Sequence, residues 1–234
     1  MTPTYVVIVA GGSGARMGTA LPKQFLDICG RPVLYHTIKA FADALPEAHL
    51  VLVLPAAQLS YAQMVLSHFE NRLEVELVSG GDTRYASVQA GLASVPDDAV
   101  VLVHDGVRPL VSANLIQRAV RKAAENGSAI PVISAVDSMR MLVDDGCMSL
   151  PVNRGNVRIV QTPQAFRADV ILPAFRTAYN EKFTDEATVV EYSGKSVHFI
   201  EGEKHNIKIT TPEDLVIAEA LLHFFAGKQQ VPAQ

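Results

Sequence analysis

The 234-residue chain has no tryptophan and only two cysteines, Cys29 and Cys147. Two thiols so far apart have neither zinc-ligand spacing nor the density of a disulfide framework, and they suit a reducing compartment. Apolar runs are short, so nothing approaches the ~20 residues that a membrane-spanning helix needs. The first run, Tyr5–Val9, has no cationic segment before it and reads as a strand rather than a signal peptide. No excess of positive charge exists either: 20 Lys and Arg face 24 Asp and Glu, a formal charge of −4. A nucleic-acid binder held by a broad basic face is thereby disfavoured. Any anionic ligand must be gripped locally, by a few placed cations. A cytoplasmic protein with no membrane or nucleic-acid partner is expected.

What the chain does have is rhythm. Short β-branched runs at Tyr5–Val9, His49–Leu54, Leu73–Val78, Val100–His104 and Ala129–Ile133 predict buried strands. Between them, Val33–Phe41, Ala57–Phe69, Thr83–Ser94 and Asn114–Asn126 carry helical periodicity. Ser112 is placed to cap the fourth of these helices and Gly127 to end it. This alternation predicts one α/β domain over residues 1–234, with a doubly wound, mostly parallel sheet. The rhythm breaks at about 134–161, where polar-apolar alternation and turn signals predict a projecting β-arm. Helical pattern returns at Asp169–Tyr179 and Asp185–Tyr192, a strand at Ser196–Ile200, and a last helix near Thr211-Pro212-Glu213-Asp214. Thr211 and Pro212 give that helix a cap and a first-turn proline, and a frayed tail is expected from Gln229.

Between Ala10 and Lys23 the chain carries Gly11, Gly12, Gly14, Arg16 and Gly18. A buried strand entering a glycine-rich loop with two cations describes a polyphosphate site, because backbone N–H groups approach closely where Cβ is missing. A plain strand-to-helix turn is the alternative. The spacing excludes two familiar motifs. After Gly12 and Gly14 the third dinucleotide glycine falls one place late, and no Lys follows Gly18 as a P-loop demands. The ribose-binding acid of a dehydrogenase is also missing, since the second long strand ends in Pro55.

Two further loops follow strands and face the same crevice. In His104-Asp105-Gly106-Val107-Arg108, Asp105 could hold Mg²⁺ against phosphate oxygens, or pair with Arg108 to fix the turn, or do both. His104 reads as a satisfied strand-end histidine. In Ser79-Gly80-Gly81-Asp82-Thr83-Arg84-Tyr85-Ala86-Ser87, the glycines permit backbone contact with a flat base, while Asp82 or Thr83 could simply be an N-cap. Farther on, Asp137-Ser138, Arg154, Gln161-Thr162-Pro163-Gln164, Thr184-Asp185-Glu186 and Asn206-Ile207-Lys208 are candidates to grip a phosphorylated co-substrate. Solvation or turn capping would explain each equally well, and Thr184 in particular could be only an N-cap.

The segments AGGSGARMG…LPKQF, GGDTRYASV, HDGVRP, QTPQAF, TDEA and NIKITTPEDL together resemble the 2-C-methyl-D-erythritol 4-phosphate cytidylyltransferase family, in order and spacing, nearly end to end. The resemblance implies a nucleotidyltransferase-type Rossmann-like fold and a magnesium-dependent transfer of CMP from CTP to a polyol phosphate. It implies that Arg16 and Lys23 are catalytic, and that Gly11, Gly12 and Gly14 help hold the triphosphate. Ala10, Gly81, Asp82 and Ser87 would bind the base and ribose, and Asp105 the metal. Arg108, Ser138, Arg154, Thr162, Thr184 and Lys208 would hold the acceptor. It further implies a homodimer whose arm reaches the partner's site, with Ser138 where threonine is familiar and Arg158 close enough to exchange roles with Arg154. Ribitol-5-phosphate cytidylyltransferase shares the glycine loop, PKQFL and QTPQ. TDEA…EYSG followed by EGEKHNIKITTPEDL favours the methylerythritol enzyme. A non-catalytic nucleotide-binding protein of the same fold should have lost a reacting charge, and Arg16, Lys23, Asp105 and Lys208 are all present.

Overall fold

The β-branched runs pair into a single twisted sheet because each is apolar on both faces. The computed structural model describes residues 2–12, 21–69, 73–143, 146 and 148–229. In chain order, β1 (Thr4–Val9) leads through a two-strand hairpin, β2 (Asp27–Ile28) and β3 (Arg31–Pro32), into α1 (Val33–Ala44). Then come β4 (His49–Leu54), α2 (Leu59–Leu66), β5 (Val75–Ser79), α3 (Arg84–Leu92), β6 (Val100–Asp105), α4 (Ala113–Asn126) and β7 (Ser128–Ser134). The distal part holds β8 (Met139–Val143), β9 (Met148–Val152), β10 (Arg158–Val160), β11 (Gln164–Arg167), α5 (Ala168–Ala174), α6 (Glu186–Tyr192), β12 (Phe199–Glu201) and α7 (Pro212–Gln229).

The sheet runs β10-β7-β11-β6-β1-β4-β5, with β12 on β7. β1, β4, β5 and β6 are mutually parallel, so their carboxyl ends share one edge. Side chains alternate between two cores, as the two-residue period requires. Val6, Ile8, Leu50, Leu52 and Leu102 pack toward α1 and α4. Val7, Val51, Val53, Val101 and Val103 pack toward α3, α5 and α6. Gly91 of α3 lets that helix lie close, because a Cβ there would fall 2.5 Å from Val7. A small third cluster of Ile28, Val33, Val107, Leu110, Ile209 and Ala218 docks α7 onto the hairpin and the loop after β6.

The expected elements form with three informative shifts. The α2 segment opens as a 3₁₀ turn at Ala56–Gln58 and ends at Leu66. Helix α5 ends at Ala174 and carries Pro173 within it, whose missing N–H leaves the Asp169 carbonyl to accept from Lys195 Nζ at 2.9 Å. The QTPQAF segment supplies a strand the pattern did not announce: β11 runs antiparallel between β6 and β7. Ser112 and Gly127 cap α4 as expected, Gly127 in the left-handed region at φ +87°. The arm forms the β8–β9 hairpin, which pairs with no other strand among the described residues. Its turn signals Asp144 and Asp145 lie outside the described residues, as does the tail beyond Gln229.

Candidate active site

Three loops leave the common carboxyl edge of the sheet and enclose a cleft of about 250 Å³. Strand pairing carries into each turn: Ala10 N–H donates to Val53 O at 2.9 Å, Gly80 N–H to Leu54 O at 2.8 Å, and Gly106 N–H to Val9 O at 2.8 Å. Ala10, Gly11, Gly12, Gly81, Asp82 and Ser87 all line the cleft, with Lys23 beside them. Gly14 and Arg16 lie outside the described residues. At Gly81 a Cβ would sit 2.6 Å from Ala86 Cβ, so this loop lies against the first turn of α3 only as glycine. Thr83, not Asp82, caps α3 by accepting from Ala86 N–H at 3.0 Å. Asp82 is left exposed at the rim, and Ser87 Oγ donates to Gly81 O at 3.2 Å.

Lys23 and Gln24 reach this cleft from a short 3₁₀ turn at Lys23–Phe25. The Lys23 side chain is buried, and its Nζ donates to Ile209 O at 2.8 Å. Gln24, wholly buried, donates to Ala10 O and to Gln58 Oε1, both at 2.8 Å. Its amide thereby ties the end of β1 to the lysine's turn. Lys23 is held where a phosphate would pass, and its long chain has lost the freedom it would have on the surface.

Asp105, at the last position of β6, is the hub of the site. Arg84 Nη2 lies 3.3 Å from Oδ1, and Arg108 Nε and Lys208 Nζ lie 3.2 Å and 3.1 Å from Oδ2. Burial works against its charge, but Arg84, Lys208 and Arg108 outweigh that penalty and hold the carboxyl far below the usual range. Arg84 is itself gripped by Glu186, with Nη2 donating to Oε2 at 3.1 Å and Nη1 to Oε1. Glu186 has no exposed surface, and burial pushes its carboxyl upward against the pull of Arg84. In this cluster three cations, Arg84, Arg108 and Lys208, meet two carboxylates, and Asp185 adds a third acid to the lining of the cleft beside it.

Behind Asp105 stands a hydrogen-bond chain with a defined direction. Asp105 N–H donates to Thr162 Oγ1 at 3.1 Å, and Thr162 Oγ1 lies 3.0 Å from His104 Nδ1. His104 Nε2 lies 3.1 Å from the Arg108 carbonyl, which can only accept. The proton therefore sits on Nε2, and Nδ1 takes the threonine proton. Burial lowers the His104 pKa to about 3. His104 is a satisfied structural histidine, and it links the backbone of the Asp105 turn to the QTPQ segment.

A second cleft of about 190 Å³ adjoins the first, and the two share Arg84, Asp105 and Lys208 as a common wall. Arg108, Thr162 and Thr184 line its far side. Thr184 is not a cap: Asp185 caps α6, accepting from Thr188 N–H at 2.9 Å in a reciprocal capping box. Gln164 steadies this loop, donating to Asp185 Oδ2 at 3.1 Å and accepting from Ala187 N–H at 2.9 Å. Ser138 and Arg154 line neither cleft within the single chain and lie exposed on the arm. Arg154 Nη1 donates to Val136 O, whereas Arg158 turns to the carbonyls of Gly155 and Val157, each at 2.9 Å.

Arg84 and Gln24 enter the site without a role having been expected of them, and Glu186, a candidate to grip the co-substrate, holds Arg84 instead. Arg84 and Glu186 stand inside the GGDTRYASV and TDEA segments, so the only available signal was their charge in a loop already under suspicion. Gln24 offers no signal without knowledge of the Ala10 carbonyl it meets.

A doubly wound sheet with glycine turns and a charged double cleft at its carboxyl edge defines a Rossmann-like nucleotidyltransferase. A family model, IspD: 2-C-methyl-D-erythritol 4-phosphate cytidylyltransferase, matches residues 4–224, and the chain belongs to that family. Proteins of that name from Phocaeicola vulgatus and Bacteroides thetaiotaomicron are 43% and 44% identical to it. Each alignment covers 93% of this chain, and 99% and 98% of the relatives respectively. The crystal structure of 2-C-methyl-D-erythritol 4-phosphate cytidylyltransferase from Thermus thermophilus superposes with a TM-score of 0.76 at 33% identity, covering 95% of this chain and all of that one. The 4-diphosphocytidyl-2C-methyl-D-erythritol synthase of Anaerococcus prevotii gives a TM-score of 0.79 at 28% identity, covering 95% and 99% of the two chains. No helix among the described residues is long and apolar enough to cross a membrane.

Proposed function

We propose that this chain transfers CMP from CTP to 2-C-methyl-D-erythritol 4-phosphate, releasing pyrophosphate and forming 4-diphosphocytidyl-2-C-methyl-D-erythritol. The observation that carries this reading is the wall common to the two clefts. An acceptor phosphate and a nucleotide triphosphate on either side of Asp105, Arg84 and Lys208 would meet with their charges opposed by the same cations. The cytosine and ribose belong in the first cleft, against Ala10, Gly81, Asp82 and Ser87. The triphosphate belongs along Gly11, Gly12 and Gly14, and the acceptor against Arg108, Thr162, Thr184 and Lys208.

No general base is needed. A phosphate monoester has a second pKa of about 6 and is already mostly dianionic near neutral pH. The barrier is electrostatic, since one anion must attack the α-phosphorus of another, in line with the departing pyrophosphate. Arg16 and Lys23 are the cations assigned to the charge that builds there. Asp105 is ionised, as a Mg²⁺ ligand must be, yet three cations already surround it. That donor set fits a magnesium ion carried in on the triphosphate better than one bound alone. When bound, Mg²⁺ would neutralise phosphate charge, while Arg84 and Arg108 hold the carboxylate in place.

The arm supports a homodimer. Met139, Met141, Leu142, Met148 and Leu150 are exposed on a lone two-stranded hairpin, a structure marginal by itself in water. Packed on a second copy, the arm would bring Ser138 and Arg154 to the partner's acceptor cleft. The reaction belongs in the cytoplasm, where the free thiol of Cys29 stays reduced.

The test is pyrophosphate release measured with each of four nucleoside triphosphates against methylerythritol phosphate and ribitol 5-phosphate. Turnover confined to CTP with methylerythritol phosphate is expected. Preference for ribitol phosphate would move the chain to the related cytidylyltransferase, and background release with both acceptors would leave a nucleotide-binding protein without catalysis.

A further inference from the structure

Cys29, Glu219 and His223 converge outside both clefts, where α7 meets the β2–β3 hairpin, and their donor atoms all lie within 4.8 Å of one another. Cys29 Sγ is 3.6 Å from His223 Nε2, and Cys29 N–H donates to Glu219 Oε1 at 2.9 Å. Glu219 and His223 stand one helical turn apart on α7 and so share a face. Cys29 and Gly30 fill the two-residue hairpin loop with φ of +51° and +74°, the signs of a type I′ turn. The first place in such a turn favours Asn, Asp or Gly, and a cysteine there is disfavoured by its Cβ. The turn spends that strain on aiming a thiol at α7.

We propose that Cys29, His223 and Glu219 form a binding site for a thiophilic divalent cation such as Zn²⁺, separate from the nucleotide site. The geometry is close to what the metal needs. Zinc–sulfur and zinc–nitrogen bonds of about 2.3 Å and 2.0–2.1 Å at a tetrahedral angle put sulfur and nitrogen about 3.6 Å apart. The observed sulfur–nitrogen separation has the same value. Binding displaces the thiol proton to solvent, and the imidazole donates its Nε2 lone pair. Glu219 supplies a carboxylate oxygen as the third ligand and leaves a fourth position for water. Such a site would clip α7 to the hairpin that follows the Lys23 turn, over the small cluster of Ile28, Val33 and Ile209.

Metal-stripped protein without nucleotide is titrated with Co²⁺, and the near-ultraviolet thiolate-to-cobalt absorption is followed. The proposal expects a band that saturates at one ion per chain and disappears when Zn²⁺ is added. Cys29→Ser should abolish the band and Cys147→Ser should keep it, because Cys29 is the sulfur of the cluster; cobalt at Asp105 would give no such band, since a carboxylate offers no sulfur. His223→Ala should weaken Zn²⁺ binding about tenfold or more, as loss of even an outer partner of a metal ligand does. Zn²⁺ should also raise the Tm in proportion to the logarithm of its concentration, and not in Cys29→Ser. Absence of the band, its survival in Cys29→Ser, or unchanged affinity in His223→Ala overturns the proposal and leaves a thiol–imidazole hydrogen bond. A chain inactive as a cytidylyltransferase leaves every one of these readings intact.

Discussion

Arg84 and Glu186 meet across 102 residues of chain in a two-pronged ion pair whose acid is wholly buried. The acid fixes the plane of the guanidinium, which then turns its second nitrogen to Asp105. The cost of such a pair lies in desolvation, so breaking it one side at a time is worse than removing it whole. Arg84→Met strands the Glu186 carboxyl and should cost about 3–5 kcal/mol, the range for an orphaned buried charge. Arg84→Met with Glu186→Leu should recover part of that loss in urea unfolding while activity stays low. Equal, additive losses in the single and double variants would show that the two charges do not hold each other.

His104 makes stability depend on pH with a definite sign. The folded protein takes up this proton only near pH 3, the unfolded chain near 6.5. Stability is therefore complete above about pH 6.5 and falls as pH drops toward 3, because the unfolded state binds more protons in that window. The slope for one such group is about 1.4 kcal/mol per pH unit. From pH 7 to pH 5 the loss is about 2 kcal/mol. His36, lowered chiefly by burial, adds in the same direction. Comparing urea midpoints of wild type and His104→Gln isolates the His104 share, with His36→Gln as the control. A pH slope unchanged in His104→Gln would remove the histidine from this account.

Much of this site was legible because glycine and charge carry meaning at strand ends. The strands β1, β4, β6 and β7 follow from β-branched runs, and the capping of α4 from Ser112 and Gly127. Asp105 was legible as a metal or ion-pair acid, and the structure shows the ion pairs. The β11 strand was not, because Gln164 and Arg167 break the apolar run and only sandwiching between β6 and β7 makes it a strand. Arg84, Glu186 and Gln24 act through partners distant in sequence, and no local pattern announces a contact across 102 residues. Ser138 and Arg154 lie exposed on the arm and line neither cleft of the single chain, so only the resemblance speaks for their role.

Lys23 offers the sharpest kinetic test of the phosphate chemistry. Its ammonium is buried and fixed by the Ile209 carbonyl, so its place costs nothing at the moment of reaction. Lys23→Ala should lower kcat by ~10²–10³, the loss seen when one placed donor is removed, with little change in KM for CTP. Lys23→Arg should not restore the rate, since the forked guanidinium does not fit a site shaped for one nitrogen. Near-normal kcat with a raised KM would make Lys23 a binding group only.

The proposed assembly through the arm can be tested apart from catalysis by mixing two defective chains. Leu142→Glu on the exposed hairpin should yield a folded monomer by sedimentation, with circular dichroism unchanged and activity lost. Lys23→Ala and Arg154→Ala homodimers should each be nearly inactive. If Arg154 serves the partner's site, unfolding and refolding the two variants together gives heterodimers with one fully native site. That site pairs Lys23 from the Arg154→Ala chain with Arg154 from the Lys23→Ala chain. The mixture should then regain activity far above either parent. A mixture that stays at the level of its parents would place Arg154 in its own chain's site, or outside the site altogether, and the same experiment with Arg158→Ala tells which arginine of the arm acts.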